Sequence, residues 1–554
     1  MIRNTRLGFL VVLSIAVALL ALAQQPERVD LNVIHRIKVA ELGSGGRGGS
    51  PSKVMDTLWS LTDLHGPRLT NSPQFRAAGE WAVGQLKEWG LSNVALEKWS
   101  TADLTTGPIP GWQATGYSGA MVEPSWMPII GVPVAWTSGT NGVITAEAAF
   151  APITTATDFE KYRGKLKGKI VMTTAMVNLD LPLTPAATRY TPDQLTGLAT
   201  ELLPLPRPFG ASGATSSSGG ATPAITAAER REFGEKQRKF FVDEGVLMTL
   251  QASARSQTGL VFGGGAARTG DVTRNLPQVS ITAENYNRIV RLIQHNVPVK
   301  LSFDVKTEFT PETDSFNVIA EIPGATKPQE VVMVGGHFDS WHYATGATDN
   351  AAGSAVAMEV MRILKSLNLK MDRTVRLALW SGEEQGIYGS AAYVKAHFAD
   401  PAVMKPTAEH ANLSGYFNID NGTGRIRGIY LQGNEMMRPV FEQWFAALKD
   451  LTPGVITIRN TTGTDHLSFD AVGLPGFQFV QDPLDYEPRT HHTNMDVYDR
   501  LQAADLEQMA IVEAVFVYNA ATRPDKLPRK ELPEPTPPEG GRGRGAATAV
   551  PAGN

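Results

Sequence analysis

Five short runs in the second half of the chain carry side chains able to bind a cation. They are Gly335-Gly336-His337-Phe338-Asp339, Ala347-Thr348-Asp349-Asn350, Ser381-Gly382-Glu383-Glu384, Asn418-Ile419-Asp420 and His491-His492-Thr493. Together they offer imidazole and carboxylate but no thiolate, which suits catalytic zinc rather than a closed structural site. The ligand count fits two ions. Asp349 can bridge them, His337 and Asp420 complete one set, and Glu384 and His492 complete the other. Two cations about 3.5–4 Å apart lower the pKa of a shared water and stabilise negative charge developing on a substrate. Glu383 is then left to take the proton from that water and deliver it to a leaving amine. Asp339 stands two residues beyond His337, on the same side of an extended segment, where its carboxylate can hold the second imidazole nitrogen. Singly, each run has a blander meaning. Asp-Asn after a strand usually caps a helix, Glu-Glu usually faces solvent, and His-His is more often structural. Their order and shared context argue against coincidence.

Such chemistry needs a scaffold that brings distant loops together. From Phe316 onward strands and helices alternate, with strand patterns at 331–334, 375–380, 415–419 and 477–480 and an amphipathic helix at 351–367. This order predicts an α/β sheet, in which ligands gather at the carboxyl ends of strands. Upstream, residues 77–89 read as an amphipathic helix ending at Gly90. Between about 120 and 305 the texture changes to short apolar runs, such as 169–172 and 246–250, with one strong helix near 229–244. Within that region 204–223 is rich in Pro, Gly, Ser, Ala and Thr and is expected to be a mobile surface loop. Two glycine-rich runs are not nucleotide sites. Residues 43–49 follow no strand and precede Pro51, and 164–169 has the wrong spacing for a phosphate loop, with Ile170 in place of Ser or Thr.

The segments GGHFDS, GATDNAAG, SGEEQGIYGS, NID and HHTNMD, spanning about 337–496, resemble the co-catalytic zinc exopeptidase family. That family includes bacterial leucyl aminopeptidases, plasma glutamate carboxypeptidase and the transferrin-receptor-like proteins. The resemblance implies a mixed central sheet flanked by helices. It implies the same metal ligands, His337, Asp349, Glu384, Asp420 and His492, with Glu383 as base, Asp339 behind His337 and a cis peptide after Asp349. It also selects His492 over His491, since the family's last ligand is followed by Thr or Ser and, after two more residues, Asp; His491 then lines the pocket. Region 120–305 is similar to a protease-associated (PA) domain, β-rich α+β, on the strength of GKIVM, a Lys-rich helix, VLMTL and LPQVSIT. The catalytic domain is then discontinuous, 51–119 with 306–525. The run Thr462-Gly463-Thr464-Asp465-His466 resembles a family loop near the substrate.

The remaining sequence narrows the function class. The chain has 554 residues, 42% hydrophobic and 19% charged, enough for two or three folded units. A net charge of −4 speaks against nucleic-acid binding, and there is no polybasic run for an anionic membrane. Arg3 and Arg6, the apolar run 7–21 and Ala21-Leu22-Ala23 read as an export signal over 1–23. After the signal a short helix-like stretch leads into the glycine run 43–49; residues 24–50 as a whole are expected to act as a flexible linker and 526–554 as a disordered tail. With no cysteine, disulfides and lipid attachment through a thiol are excluded, and a periplasmic or secreted location without stable membrane insertion is expected. No G-x-S-x-G or H-E-x-x-H supports a serine hydrolase or a mononuclear zinc endopeptidase. The expectation is an exported exopeptidase with two zinc ions acting on peptides or dipeptides. An aminopeptidase stands first and a carboxypeptidase or dipeptidase second. Behind these stand a glutaminyl cyclase, which shares the scaffold but usually binds one zinc, and a receptor-like binding module with a degraded site. Metal content and hydrolysis of amino-acid amides separate them. Arg489, close to His492, is a candidate to receive a substrate carboxylate.

Overall fold

The computed structural model describes residues 27–43, 51–204 apart from 103 and 180, and 227–535 apart from 256, 257, 269 and 270. The signal segment, the glycine run at 44–49 and residues 205–223 of the expected surface loop lie outside the described residues.

Sixteen strands are described, in two sheets. β1 (Ser92–Ser100) is followed by β2 (Gly111–Glu123), β3 (Met127–Pro128), β4 (Gly131–Pro133), β5 (Ile144–Phe150), β6 (Ile170–Met172), β7 (Met248–Ala252), β8 (Gln278–Ile281) and β9 (Lys300–Thr310). Then come β10 (Asp314–Ile322), β11 (Lys327–His337), β12 (Arg373–Trp380), β13 (Leu413–Asn418), β14 (Ile426–Tyr430), β15 (Val455–Thr457) and β16 (Gly476–Gln481). The first sheet has the order β1-β10-β12-β11-β13-β16-β14-β15 and is mixed. Its central run β12-β11-β13-β16 is parallel, while β1, β10 and β14 pair antiparallel. Both faces are covered, which explains why these strands read as unbroken apolar runs. Val332, Val334, Val375 and Leu377 join the core with helices Ala352–Ser366 and Ala503–Thr522. Their neighbours Val331, Met333 and Ala378 pack on the opposite face against Tyr393, Phe398 and Phe469. Gly335 is required by this packing. A Cβ there would lie 1.8 Å from the carbonyl oxygen of Ala378, a backbone atom that cannot give way.

The second sheet, ordered β3-β2-β9-β5-β6-β7-β8-β4, is built entirely from 111–310. Its edges differ from the boundaries expected at 120 and 305. β2 starts earlier and β9 ends later, because the two pair antiparallel from Gly111 opposite Thr310 to Glu123 opposite Lys300. The antiparallel ribbon of these two strands carries the second sheet past both expected boundaries. A further excursion from the second sheet reaches the far edge of the first. Thr188 bridges Leu484, Arg189 pairs with Asp482 and Asp505, Leu195 and Leu198 pack on Tyr430, Val455 and Val480, and Glu201 pairs with Arg459.

Two terminal segments differ from expectation. Residues 24–50 are not all linker, since Leu31–Leu42 is a helix capped by Asp30, whose carboxylate accepts from Asn32 and Val33 N–H. The helix-like stretch read before the glycine run is thus part of the fold, its apolar face of Val33, Ile34 and Ile37 entering the main core. At the other end, residues 526–535 are placed against the first sheet. Leu527 is buried with its N–H on Ser414 Oγ at 3.2 Å, and Lys530 pairs with Asp470.

The N-terminal helix is held by buried carboxylates. Ser52 Oγ donates to Glu41 Oε1 at 2.6 Å and to Glu359 Oε1 at 3.4 Å, and Arg362 lies 3.7 Å from Glu41 Oε2. Burial and the adjacent Glu359 push the Glu41 carboxyl up to about 9. The folded chain therefore keeps a proton that the unfolded chain has lost above about pH 4.5, so this group lowers stability progressively as pH rises toward 9. Glu41→Gln is expected to raise the thermal unfolding midpoint, with a larger gain at pH 8–9 than at pH 5; melting curves across that range check it.

Candidate metal centre

The order β12-β11-β13-β16 puts four parallel carboxyl ends side by side, and the loops leaving them supply the polar side chains. His337 is the last residue of β11, in register with Trp380 at the end of β12. Glu383 and Glu384 follow β12, Asp420 follows β13, and the 482–496 loop follows β16. Asp349 stands before helix Ala352–Ser366, and its peptide bond to Asn350 is cis.

Two sets of atoms face each other across Asp349. His337 Nε2 lies 3.2 Å from Asp349 Oδ1 and 3.2 Å from Asp420 Oδ1. His492 Nε2 lies 3.3 Å from Asp349 Oδ2 and 2.9 Å from Glu384 Oε2. Ligands about 2.0–2.1 Å from a tetrahedral cation stand roughly 3.3 Å apart, so both sets have the spacing of a coordination shell. Asp349 Oδ2 is buried and accepts no hydrogen bond, as expected of an oxygen reserved for a cation. Donor atoms of His337, Asp349, Glu383, Glu384, Asp420, His491 and His492 gather in overlapping trios, each within 4.8 Å. The shortest spacings pick out the two sets above. His491 Nε2 is farther from Asp349 Oδ2, at 3.9 Å.

The charges tell the same story. Burial opposes the charged form of His337, but the Asp420 and Glu383 carboxylates hold its imidazolium well above the ordinary range. His492 is likewise pushed up to about 10 by Glu384 and Asp349 against the cost of burial. Burial holds the Glu383 carboxyl well above the usual carboxylate range, with Asp420 adding to the effect and His337 opposing it. Without a cation, protons collect where positive charge belongs. The residues fit divalent metal.

Positioning comes from groups around the centre. His337 Nδ1 donates to the main-chain oxygen of Asp339 at 2.9 Å, leaving Nε2 as the free lone pair. The expected carboxylate contact is not made, because Asp339 Oδ1 lies 3.7 Å away. That carboxylate instead accepts from Thr70 Oγ1 at 2.8 Å and Glu383 N–H at 3.3 Å, fixing the loop that carries the two glutamates. Asp496 accepts from the N–H groups of Thr348 and Asp349, at 2.6 and 3.2 Å. Burial and the facing Asp349 push its carboxyl up to about 7. Asn350 Nδ2 donates to Ile419 O beside Asp420, and its Oδ1 accepts from Gly353 N–H at the start of the helix.

Arg68 is a positioning residue that sequence reasoning missed. It is fully buried, and its guanidinium donates to the carbonyls of Leu61, Phe338, Thr345 and Gly346 at 2.8–3.0 Å. It thereby joins the His337 loop to the Asp349 loop, and Asp496, Asp339, Asp349 and Glu384 support its charge against burial, which lowers its pKa to about 10. Nothing in His65-Gly-Pro-Arg68 marks it, since three of its four carbonyl partners lie about 270 residues away. The second sheet also reaches the centre. Phe262 stacks on the His492 ring, with centroids 6.1 Å apart at 18°, and Gly263 N–H donates to His492 O. Asp465 and His466 are fully buried, and Thr464 Oγ1 accepts from Asn418 Nδ2 at 3.1 Å, tying that loop to β13. Arg489 is half-buried.

The chain is similar to known peptidases. Residues 317–517 match the model of peptidase family M28. Carboxypeptidase Q of Pongo abelii is 26% identical over 486 residues, which cover 87% of this chain and 88% of that protein. A solved peptidase M28 precursor from Shewanella amazonensis SB2B superposes with a TM-score of 0.62 at 23% identity, over 91% of this chain and 99% of that one. A zinc aminopeptidase from Bacillus subtilis gives 0.52 at 18% identity, over 85% and 94%. The two structural likenesses establish the mixed α/β fold.

Because Arg68 touches no ligand side chain, its contribution is read through metal binding. Arg68→Met is expected to weaken divalent-metal affinity roughly 10–100-fold, the usual scale for groups that orient ligands. Lys cannot reach four carbonyls at once, so Arg68→Lys should recover little of it. Competition against a chromophoric chelator measures both, and unchanged affinity in Arg68→Met rules out the positioning role.

Proposed function

We propose that this chain is an exported metallo-exopeptidase, similar to peptidase family M28, that uses two zinc ions to release a terminal residue from short peptides. His337, Asp420 and Asp349 Oδ1 would hold one ion, and His492, Glu384 and Asp349 Oδ2 the other. The observation that supports this most strongly is the bridging geometry of Asp349, whose two oxygens stand 3.2 and 3.3 Å from different imidazoles.

Zinc at such a centre supplies Lewis acidity, activating a water and polarising the scissile carbonyl. Glu383 does the proton work. Its Oε2 is 3.9 Å from His337 Nε2, beside the centre, and its N–H is fixed by Asp339. As the water oxygen adds to the carbonyl carbon, its proton passes to the Glu383 carboxylate. The same proton passes to the amide nitrogen as the C–N bond breaks, which releases an amine and returns Glu383 to its starting state. Next to the His492 side, the space bounded by Trp341, Tyr343 and Ala344 is about 10 Å³, room for one water molecule.

Release from the amino end is the first reading. Release from the carboxyl end is the second, and it is favoured by the likeness to carboxypeptidase Q across 87% of this chain. Hydrolysis of amino-acid amides with free amines, of N-blocked peptides with free carboxylates, and of dipeptides separates the two. Cleavage of none of them sinks the exopeptidase reading. The second sheet corresponds to the PA-like insertion in this reading. Among the described residues no helix is long and apolar enough to cross a membrane.

Elemental analysis should find about two zinc ions per chain, as the dinuclear mechanism requires. Glu383→Gln should keep both ions and lose roughly 10²–10⁴-fold in kcat, the scale of general-base catalysis. Glu384→Gln should instead weaken one ion and regain part of its activity in excess zinc. Loss of zinc in Glu383→Gln with full retention in Glu384→Gln reverses the two roles.

A further inference from the structure

His491 faces the centre without belonging to either closely spaced set, and the chemistry of its neighbours decides what it can do there. Its ring lies against that of His492, with centroids 3.9 Å apart, and its Nε2 points toward Asp349 Oδ2 at 3.9 Å. Its Nδ1 meets Arg255 Nη2 at 3.3 Å, and the same Nη2 lies 3.4 Å from the His491 carbonyl oxygen. Arg255 follows β7 in the second sheet and is half-buried over the ring of Phe262, 4.6 Å from its centroid. Glu487 Oε2 approaches the same Nδ1 at 3.5 Å.

A guanidinium carries only donors, so at the Arg255 contact Nδ1 must accept and the ring proton must sit on Nε2. A protonated nitrogen has no lone pair for a metal, so His491 in this tautomer is excluded as a ligand. It becomes instead an N–H donor directed at the centre. Glu487 works in the opposite sense: a proton on Nδ1 donated to its carboxylate would leave Nε2 bare and able to ligate. Arg255 and Glu487 thus pull the Nδ1 proton in opposite senses, and Arg255, which also reaches the main-chain oxygen of His491, stands closer.

We propose that His491 donates a hydrogen bond from Nε2 to the substrate oxygen that gains negative charge when water adds to the scissile carbonyl, and that Arg255 of the second sheet is the positioning residue that fixes this tautomer. The inference rests on the dinuclear peptidase reading above. It gives the second sheet a part in rate as well as in shape. A single donor of this kind contributes on the order of 10²–10³ in kcat.

Imidazole ¹⁵N NMR of the zinc-loaded protein tests the tautomer without reference to turnover. The Nε2–H form is expected for His491 in the parent and in Glu487→Gln, and a shift toward Nδ1–H in Arg255→Met. In kinetics, His491→Phe is expected to lose roughly 10²–10³ in kcat with little change in KM and full zinc content. His491→Gln, which keeps an N–H donor, should recover part of that loss. Arg255→Met should fall in the same direction but cause no further loss in the His491→Phe background. Affinity for a phosphinic dipeptide analogue should drop in His491→Phe in parallel with kcat/KM. Loss of a zinc ion in His491→Phe makes His491 a ligand and overturns the proposal. So does an Nδ1–H tautomer in the parent, or a loss of rate in Glu487→Gln with Arg255→Met silent. A parent that binds zinc but cleaves no peptide refutes the peptidase reading instead, and the NMR result still decides the tautomer.

Discussion

Two imidazoles 3.2 and 3.3 Å from the separate oxygens of one buried carboxylate are costly to assemble from a flexible chain. Carboxylates repel, buried charge is poorly solvated, and each loop loses conformational entropy when it is fixed. The first sheet meets this cost by aligning four parallel strand ends, so that each loop begins from a position already set by a hydrogen-bonded register. Close packing then fixes the strands. The short approach of β11 to β12 at Gly335 leaves the His337 end of the strand with no lateral freedom.

Around that centre, the order of construction runs outward through main-chain atoms more than through side-chain pairs. Arg68 grips carbonyls, Asp496 grips N–H groups, Asn350 does both, and Asp339 turns its carboxylate to an N–H and a hydroxyl. Such contacts hold loops in place whatever side chains they carry. They let a surplus of acidic groups persist where side-chain ion pairs would neutralise the ligands themselves.

What was legible in the sequence follows from this division. His337, Asp349, Glu384, Asp420 and His492 stand next to strand ends or a helix start, so local pattern located them and the structure brings them into one pocket. Glu383 was legible for the same reason. Arg68 was not, because a cation that binds distant carbonyls leaves no pattern in either partner segment. The role of the Asp339 carboxylate was misjudged because the nearer partner for His337 Nδ1 is the carbonyl of Asp339 itself. A helix-like stretch before Gly43 was legible, but its packing into the core, like that of the 526–535 stretch, was hidden by flanking composition, since a few apolar residues decide packing while many polar ones dominate an average. The β2 and β9 ends were hidden because the two strands run on as one antiparallel ribbon past the change of texture at 120 and 305.

The excursion through Thr188, Arg189 and Glu201 has a mechanical meaning. It spans from the second sheet to the far edge of the first, while the β2–β9 ribbon and the Phe262 contact join the two bodies elsewhere. A body tied to its neighbour at separated points has no axis about which to swing. Opening by rotation, the common way for two-part enzymes to admit a ligand, would break contacts at each of these points at once. The two bodies are therefore held as one unit around the centre, with Trp341 lining the space beside His492 and Phe262 stacked on its ring.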